Sequence, residues 1–368
     1  MNYYYFLPKK NFFKRGYRGS VMHALGIVNG FKYNSKKLVV LHRGGFENFD
    51  DNHHENLKFP NLLLFLFNIL RNSSNRLLIR YSMSNLLFLC LLQLIAIKKN
   101  IICLEINTVL SMYNKKSSLF IIISFLEKLI LRKFKVIYVV SKNAKYFLNE
   151  KLQVPLENIV IIPNALINKE SENINDSSLK KKNYFETKRL VYLGSTHDYY
   201  DLNKVYNWLK EFNNKNETKL ELHIYGNDDL NKMNQLKENQ DTVLKFHGKY
   251  DNNKISNLIK ENDLLILPYK PETIAEYGSP TKLFEYMNLK SPIFASKVGQ
   301  LSDILKHKEN SILYGNQDEF NEGLQLLLNN HDLRKKIAQK AYQEVKSYHN
   351  WKVRIKDLIE FWNSSYEK

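Results

Sequence analysis

Residues 263–297 read DLLILPYKPETIAEYGSPTKLFEYMNLKSPIFASK and contain one complete strand–helix–strand unit. DLLILPY (263–269) and SPIFASK (291–297) are near-continuous apolar runs, the pattern of strands buried on both faces of a parallel sheet. Between them Ser279 offers an N-cap and Pro280 suits a first helical position, so the spacing predicts a helix over Thr281–Asn288.

The alternation continues in both directions. RLVYLGS (189–195), KLELHIYGN (219–227) and VLKFHGK (243–249) read as strands, and Leu324–Ser347 and Val353–Trp362 read as closing helices. In the first half, Tyr3–Leu7, LVVLH (38–42), RLLIRYS (76–82), NIICLEIN (100–107), VIYVVS (136–141) and NIVIIPN (158–164) read as strands. Helices are expected at Val21–Phe31 with Ser20 as N-cap, at Asn61–Leu70, in the apolar run to Ile97, and at Leu119–Arg132. The polar stretch 165–188 reads as an exposed connection. The expected fold class is therefore α/β, with two doubly wound Rossmann-like domains facing a cleft. Their expected bounds are 1–165 and 166–349, with 350–368 crossing back onto the first.

A chain of 368 residues, 44% apolar and 25% charged, is long enough for two cores. Cys90 and Cys103 both lie in apolar runs, which argues for buried thiols rather than a disulfide framework or a zinc site. MNYYYFLPKK lacks the pattern of a signal peptide, and the run Leu86–Ile97, about 12 residues, falls short of the roughly 20 that span a bilayer. Charge is lopsided: residues 1–160 hold 24 Lys/Arg against 8 Asp/Glu, while the remainder holds 31 against 29. Such a field suits an anionic partner, namely a phospholipid surface, a lipid diphosphate or a nucleic acid; plain solubility is the alternative. The basic half contains no recognised nucleic-acid-binding module, so nucleic acid is not an expected partner. The expected location is the cytoplasm, peripherally on the inner face of the membrane.

The helix start after 279 has the chemistry of an anion site. Backbone N–H groups there lack intrahelical acceptors, and Gly278 allows close approach. Lys282 in the first turn opposes the helix dipole by some tenths of a kcal/mol unless an anion sits in front of it. Glu285, one turn on, can accept two hydrogen bonds from a ribose diol. An ordinary capped helix with an exposed Lys282–Glu285 pair is the alternative.

Ser279-Pro280-Thr281-Lys282-Leu283-Phe284-Glu285-Tyr286-Met287, followed by Ser291-Pro292, resembles the donor motif of family-four (group one) glycosyltransferases, which have the GT-B fold. The resemblance implies transfer of a sugar from a nucleotide diphosphate sugar, a UDP-sugar first of all, to a saccharide or lipid-diphosphate-linked acceptor in capsule, O-antigen or exopolysaccharide assembly. It implies retention of configuration; no aspartate-rich motif marks a metal site, so no metal or other cofactor is expected. Glu285 would hold the ribose, and Lys282 with the amides of Ser279 and Thr281 the diphosphate, next to Tyr277, Gly278 and Pro280. The family carries an earlier glutamate where this chain has Tyr277. Tyr192-Leu193-Gly194-Ser195 resembles the strand end that faces the diphosphate, with Gly226 closing the next strand, and His247-Gly248-Lys249 the turn lining the nucleobase pocket. Arg15-Gly16-Tyr17-Arg18-Gly19-Ser20 resembles the family's glycine-rich first loop, with Gly19 and Ser20 towards the donor and Arg15 and Arg18 towards the acceptor; a basic surface loop is the alternative. Leu104-Glu105-Ile106-Asn107 and Ile79-Arg80-Tyr81-Ser82 resemble strand ends of the acceptor domain. Glu105 either positions an acceptor hydroxyl as a catalytic group or pairs with Arg80; Arg80 and Asn107 are acceptor candidates. A non-catalytic sugar- or nucleotide-binding protein on the same scaffold is the alternative function.

Overall fold

The structure, a computed structural model, describes residues 2–10, 12–15, 19–43, 54–56, 74–82, 85–86, 88–89, 92, 102–113, 118–167, 189–226, 243–251, 255–260 and 262–367. The expected helix at 61–70, most of the apolar run to Ile97 with Cys90, and the 168–188 connection lie outside these residues.

The first sheet is built from β1 (Asn2–Lys10), β2 (Leu38–Arg43), β3 (His54–Asn56), β4 (Asn75–Arg80), β5 (Ile102–Ile106), β6 (Val136–Val139) and β7 (Ile159–Ile161). The second holds β8 (Arg189–Leu193), β9 (Glu221–Tyr225), β10 (Leu244–Gly248), β11 (Leu264–Leu267), β12 (Ile293–Ser296) and β13 (Ile312–Tyr314). The helices are α1 (Gly19–Tyr33), α2 (Ser118–Leu131), α3 (Lys142–Leu152), α4 (Leu202–Lys215), α5 (Ile255–Leu258) and α6 (Thr281–Asn288). They continue with α7 (Gln300–Ile304), α8 (Gln317–Asn329), α9 (His331–Ser347) and α10 (Trp351–Glu367).

Strand order is β3-β2-β1-β4-β5-β6-β7 in one sheet and β10-β9-β8-β11-β12-β13 in the other, with the recorded pairings parallel. Both sheets therefore reverse direction next to their first strand, at β1/β4 and at β8/β11. In doubly wound sheets, ligands bind outside the carboxyl ends of the strands at such a reversal. The central strands β5, β6, β11 and β12 are buried along their whole length, as largely apolar strands covered on both faces are, with Glu105 on β5 and Ser296 on β12 the polar exceptions.

The chain divides into two compact units. One comprises Met1–Ile167, Tyr277–Ser279 and His349–Lys368, and the other Asn168–Glu276 and Pro280–Tyr348. In the first, α10 packs along α1, and two glycines one helical turn apart make room for it. A methyl group at Gly26 would overlap the Trp351 indole, and one at Gly30 would strike Ile355 and the Trp351 carbonyl. Each glycine costs its helix about 1 kcal/mol relative to alanine. Burying Trp351 and Trp362, 2% and 0% exposed, stabilises the unit by more than that.

Several expectations need correcting. α1 begins at Gly19, so Ser20 lies inside the helix rather than capping it. β3, β13 and α7 were not anticipated. The single helix expected over 324–347 is two: Asn330 interrupts it, and its side chain caps α9 by accepting from the Leu333 N–H at 2.8 Å.

Gly26→Ala should push the Trp351 indole out of its groove and cost about 1–3 kcal/mol, read as a lower urea midpoint with altered tryptophan emission. An unchanged midpoint would contradict the close packing of α10 on α1.

Candidate functional site

In the second unit, α6 spans the residues that the sequence predicts. Leu283, Phe284, Tyr286 and Met287 are buried, and the Tyr286 hydroxyl accepts a hydrogen bond from the Leu193 N–H at 2.7 Å. That bond fixes the helix against the end of β8 and leaves Lys282 and Glu285 half-buried. Three adjacent strands finish on glycine. The Gly194 N–H donates to the Tyr225 carbonyl at 2.7 Å, and the Gly226 N–H to the Gly248 carbonyl at 2.9 Å. A side chain on Gly226 would hit the Gly194 carbonyl, and one on Gly194, whose φ is +139°, would fall on the end of Lys282. The lysine therefore lies across bare backbone at the β8/β11 reversal.

Among the described residues its charge has aromatic neighbours and no carboxylate partner. The Lys282 ammonium sits 5.5 Å from the Tyr192 ring centre and 5.0 Å from that of Tyr200. Tyr200 packs on Tyr199 at 4.6 Å and on Tyr269 at 5.1 Å. Burial pushes the Tyr200 phenol up, but the adjacent ammonium and neighbouring hydroxyl hydrogen bonds bring it below its ordinary range. Glu285 lies one turn further along the helix, and its charge joins burial in pushing the Tyr250 phenol up. The N–H groups of Thr281 and Lys282 have no acceptor among the described residues, while that of Leu283 donates to the Pro280 carbonyl at 3.2 Å.

Ser279 is not the N-cap. Pro280 occupies that position, without a side-chain capping bond. The Ser279 hydroxyl is taken by the Asn164 N–H at 2.8 Å, and its carbonyl by the Asn164 side-chain amide. Tyr277 is likewise engaged: its carbonyl accepts from the Ser141 hydroxyl at 2.8 Å, and its ring meets Phe147 edge-on at 5.2 Å. Gly278 is half-buried and Ser195 also, the latter's carbonyl accepting from the Tyr192 hydroxyl at 2.5 Å. His247 lies on the edge strand β10. It stacks on Tyr225 at 4.2 Å and 8°, and its Nε2 meets His223 Nδ1 at 2.9 Å. Burial lowers the pKa of both imidazoles. Gly248 (φ +72°) turns the chain there, and Lys249 is exposed.

In the first unit, Glu105 is 0% exposed and bonded on both oxygens. The Tyr5 hydroxyl donates to it at 2.5 Å and the Asn107 amide at 2.7 Å, while His23 Nε2 lies at 3.2 Å and Arg80 Nε at 3.4 Å. Burial alone would push this carboxyl up, but Arg80 and His23 outweigh it and hold it at about 2. A carboxylate so enclosed presents no oxygen to an acceptor hydroxyl. The catalytic assignment of Glu105 is therefore corrected to a structural one, paired with Arg80.

Arg80 and Asn107 are committed to the same network, and Arg80 also donates to the Ser20 carbonyl at 3.0 Å. Both are only partly buried, and their acceptor-binding assignment stays a proposal. Gly19 is exposed at the start of α1 and Ser20 half-buried. Arg18 lies outside the described residues, as does the side chain of Arg15 at the end of the short turn Phe12–Arg15. His23, on α1, joins the network through Glu105, Tyr138 (2.8 Å) and Asn164. The tyrosines around Lys282 were not anticipated from the sequence, where the Tyr199-Tyr200 pair behind a strand-end glycine was the one available signal.

Residues 173–344 match the family described as glycosyl transferases group 1. An uncharacterized glycosyltransferase of Methanocaldococcus jannaschii is 24% identical over 234 residues, 62% of this chain and 58% of that protein. The chain thus spans somewhat over half the length of this curated relative. Among solved structures, sucrose-phosphate synthase from Thermosynechococcus elongatus superposes with a TM-score of 0.69 at 11% identity over 99% of both chains. Anabaena HepE in complex with UDP-glucose gives 0.66 at 14% identity over 99% of this chain and 100% of the other. WaaG, a glycosyltransferase involved in lipopolysaccharide biosynthesis, gives 0.66 at 15% identity over 98% and 99%. The fold is that of the GT-B proteins.

Glu105 supplies a pH test of the first unit. A carboxyl held at about 2, against about 4.5 unfolded, stabilises the fold above pH 4.5 and loses that contribution as pH falls towards 2. Glu105→Gln should be less stable than wild type near neutrality by about 3 kcal/mol, with the gap closing as the pH approaches 2. A gap that stays constant across that range would contradict the network.

Proposed function

With residues 173–344 forming a group 1 glycosyltransferase domain, we propose that the protein transfers a sugar from a UDP-sugar to a hydroxyl of a saccharide or lipid-linked acceptor. The observation that carries the reading is Lys282. Its ammonium lies on side-chain-free backbone at a strand reversal, and the two amides at the start of its own helix have no acceptor among the described residues. A diphosphate satisfies all three groups at once.

In the reaction, the acceptor oxygen attacks the anomeric carbon while the bond from that carbon to the diphosphate breaks. The acceptor approaches from the face that the diphosphate leaves; the departing diphosphate keeps the electron pair, and its oxygen takes the proton from the attacking hydroxyl. Lys282 and the Thr281 and Lys282 amides face the charge that grows on the leaving group, and they are already in place when it forms. Glu285 accepts from the ribose hydroxyls. The helix start and lysine supply the neutralising charge without a metal or other cofactor, and the configuration at the anomeric carbon is retained. The complex of HepE with UDP-glucose supports a UDP-sugar as the first donor to test, and the role of WaaG in lipopolysaccharide biosynthesis supports a cell-surface polysaccharide acceptor. The first unit takes the acceptor, and its basic sequence favours work at the anionic inner face of a membrane.

A non-catalytic binder on the same scaffold has one observation in its favour: Tyr277 stands where the resembling family has a glutamate, and its ring is packed on Phe147. Release or transfer of the sugar from a bound donor separates the two readings.

Lys282→Ala and Glu285→Ala should each lower donor binding or kcat/KM at least about tenfold, the scale of one lost charged contact. A panel of nucleotide sugars should raise the melting temperature of the wild type and not of these variants. Wild-type kinetics in either variant would remove the site from consideration.

A further inference from the structure

The outer face of α2 has no role in holding the fold together. Ile121 is 70% exposed, and Ile122 and Phe125 are each 58% exposed. These three side chains follow one another at helical spacing on one stripe, which continues through Leu129 to the exposed Arg132. Monomeric soluble proteins rarely leave such a cluster open to water.

The helix cannot roll to hide it. Glu127, on the opposite face, is 0% exposed and anchors α2 inward. Its carboxylate accepts from the Tyr81 hydroxyl at 2.5 Å, the Leu110 N–H at 2.8 Å, the Ser111 N–H at 3.1 Å and the Ser111 hydroxyl. Turning the apolar stripe inward would strip a buried carboxylate of all four bonds.

Charge identifies the occupant. Between Glu105 and Glu150 the chain contains eight Lys/Arg and one acid, and that acid is the buried Glu127. The outer face of α2 thus shows three large apolar side chains, exposed Arg132, Lys133 and Lys135 just past its end, and no carboxylate. A second copy of this face would bring like charges together. A bilayer with anionic headgroups meets both requirements: the apolar stripe enters the headgroup–acyl boundary and the basic end meets the phosphates.

We propose that α2 docks the protein on an anionic phospholipid surface, with Ile121, Ile122 and Phe125 inserted and Arg132 and Lys133 on the headgroups. This deepens the membrane side of the proposed reaction and rests on that reading for its purpose, but it uses none of the donor-site residues.

The test is co-sedimentation of the full chain with vesicles of phosphatidylcholine containing about 30 mol% phosphatidylglycerol, against phosphatidylcholine alone, in about 0.1 M salt. Wild type should pellet with the anionic vesicles. The triple variant Ile121→Gln, Ile122→Gln, Phe125→Gln should bind at least about tenfold more weakly, and Arg132→Glu with Lys133→Glu should lose the preference for anionic lipid. Phe125→Trp keeps the apolar face, and its emission should shift to the blue when anionic vesicles are added. Stabilisation by UDP-sugars should be the same in the triple variant and the wild type, which shows that the variant folds. Wild-type vesicle binding by the triple variant, or an unshifted Phe125→Trp spectrum, overturns the proposal. So does a wild-type dimer that the triple variant turns into a monomer, since the face would then be a self-interface. If the wild type binds UDP and ignores both vesicles, the docking face fails and the donor site stands. If it docks through α2 and binds no nucleotide, the docking face stands and the transfer reading fails.

Discussion

A lysine in the first turn of a helix is in the wrong place electrostatically, and the second unit is arranged around keeping one there. The Lys282 ammonium opposes the positive end of α6. It has no carboxylate within ion-pair distance among the described residues, and its stabilising neighbours are the faces of Tyr192 and Tyr200. A cation over an aromatic ring gains about 0.5–2 kcal/mol, depending on how dry the site is. That holds the side chain in position without cancelling its charge. Gly194 provides the space beneath it, and Tyr286, through the Leu193 N–H, sets the helix against the strand end that carries Gly194. Remove any of these and the charge either swings into solvent or loses its register with the helix-start amides.

The first unit solves the opposite problem, an acid buried deep in a basic half. Glu105 draws β1, β4, β5 and α1 together through Tyr5, Arg80, Asn107 and His23, and His23 extends the network to Tyr138 and Asn164. Because both oxygens are occupied, the network specifies how these elements pack and leaves the Glu105 carboxylate no oxygen for chemistry. A strand-end carboxylate reads as catalytic in a sequence and turns out structural here. Burial is what separates the two roles, and burial is a property of the assembled sheet.

What the sequence made legible follows from how local the cause is. The alternation of apolar runs and helical segments predicted two doubly wound domains, and Thr281–Asn288 emerged with its bounds intact, because buried parallel strands and a proline-started helix are written in adjacent residues. Ser279 went wrong for the converse reason: its hydroxyl is claimed by Asn164, 115 positions earlier, which no local pattern announces. β13 escaped because three apolar residues, Ile312–Tyr314, are too few to show a period. The tyrosines around Lys282 come from β8, from the loop after it and from the end of β11, so only the sheet order brings them together. On α2 the apolar residues were visible, but a sequence does not say which side of a helix is covered. That side was decided by Glu127.

The account turns on whether a diphosphate meets the start of α6. Protein labelled with nitrogen-15 at threonine and lysine, titrated with UDP, reads this directly through the backbone amides of Thr281 and Lys282. The account predicts that these two amides move downfield with UDP, saturate together, and stay still when Lys282 is replaced by alanine. UDP binding that shifts other amides and leaves these two unmoved would contradict it.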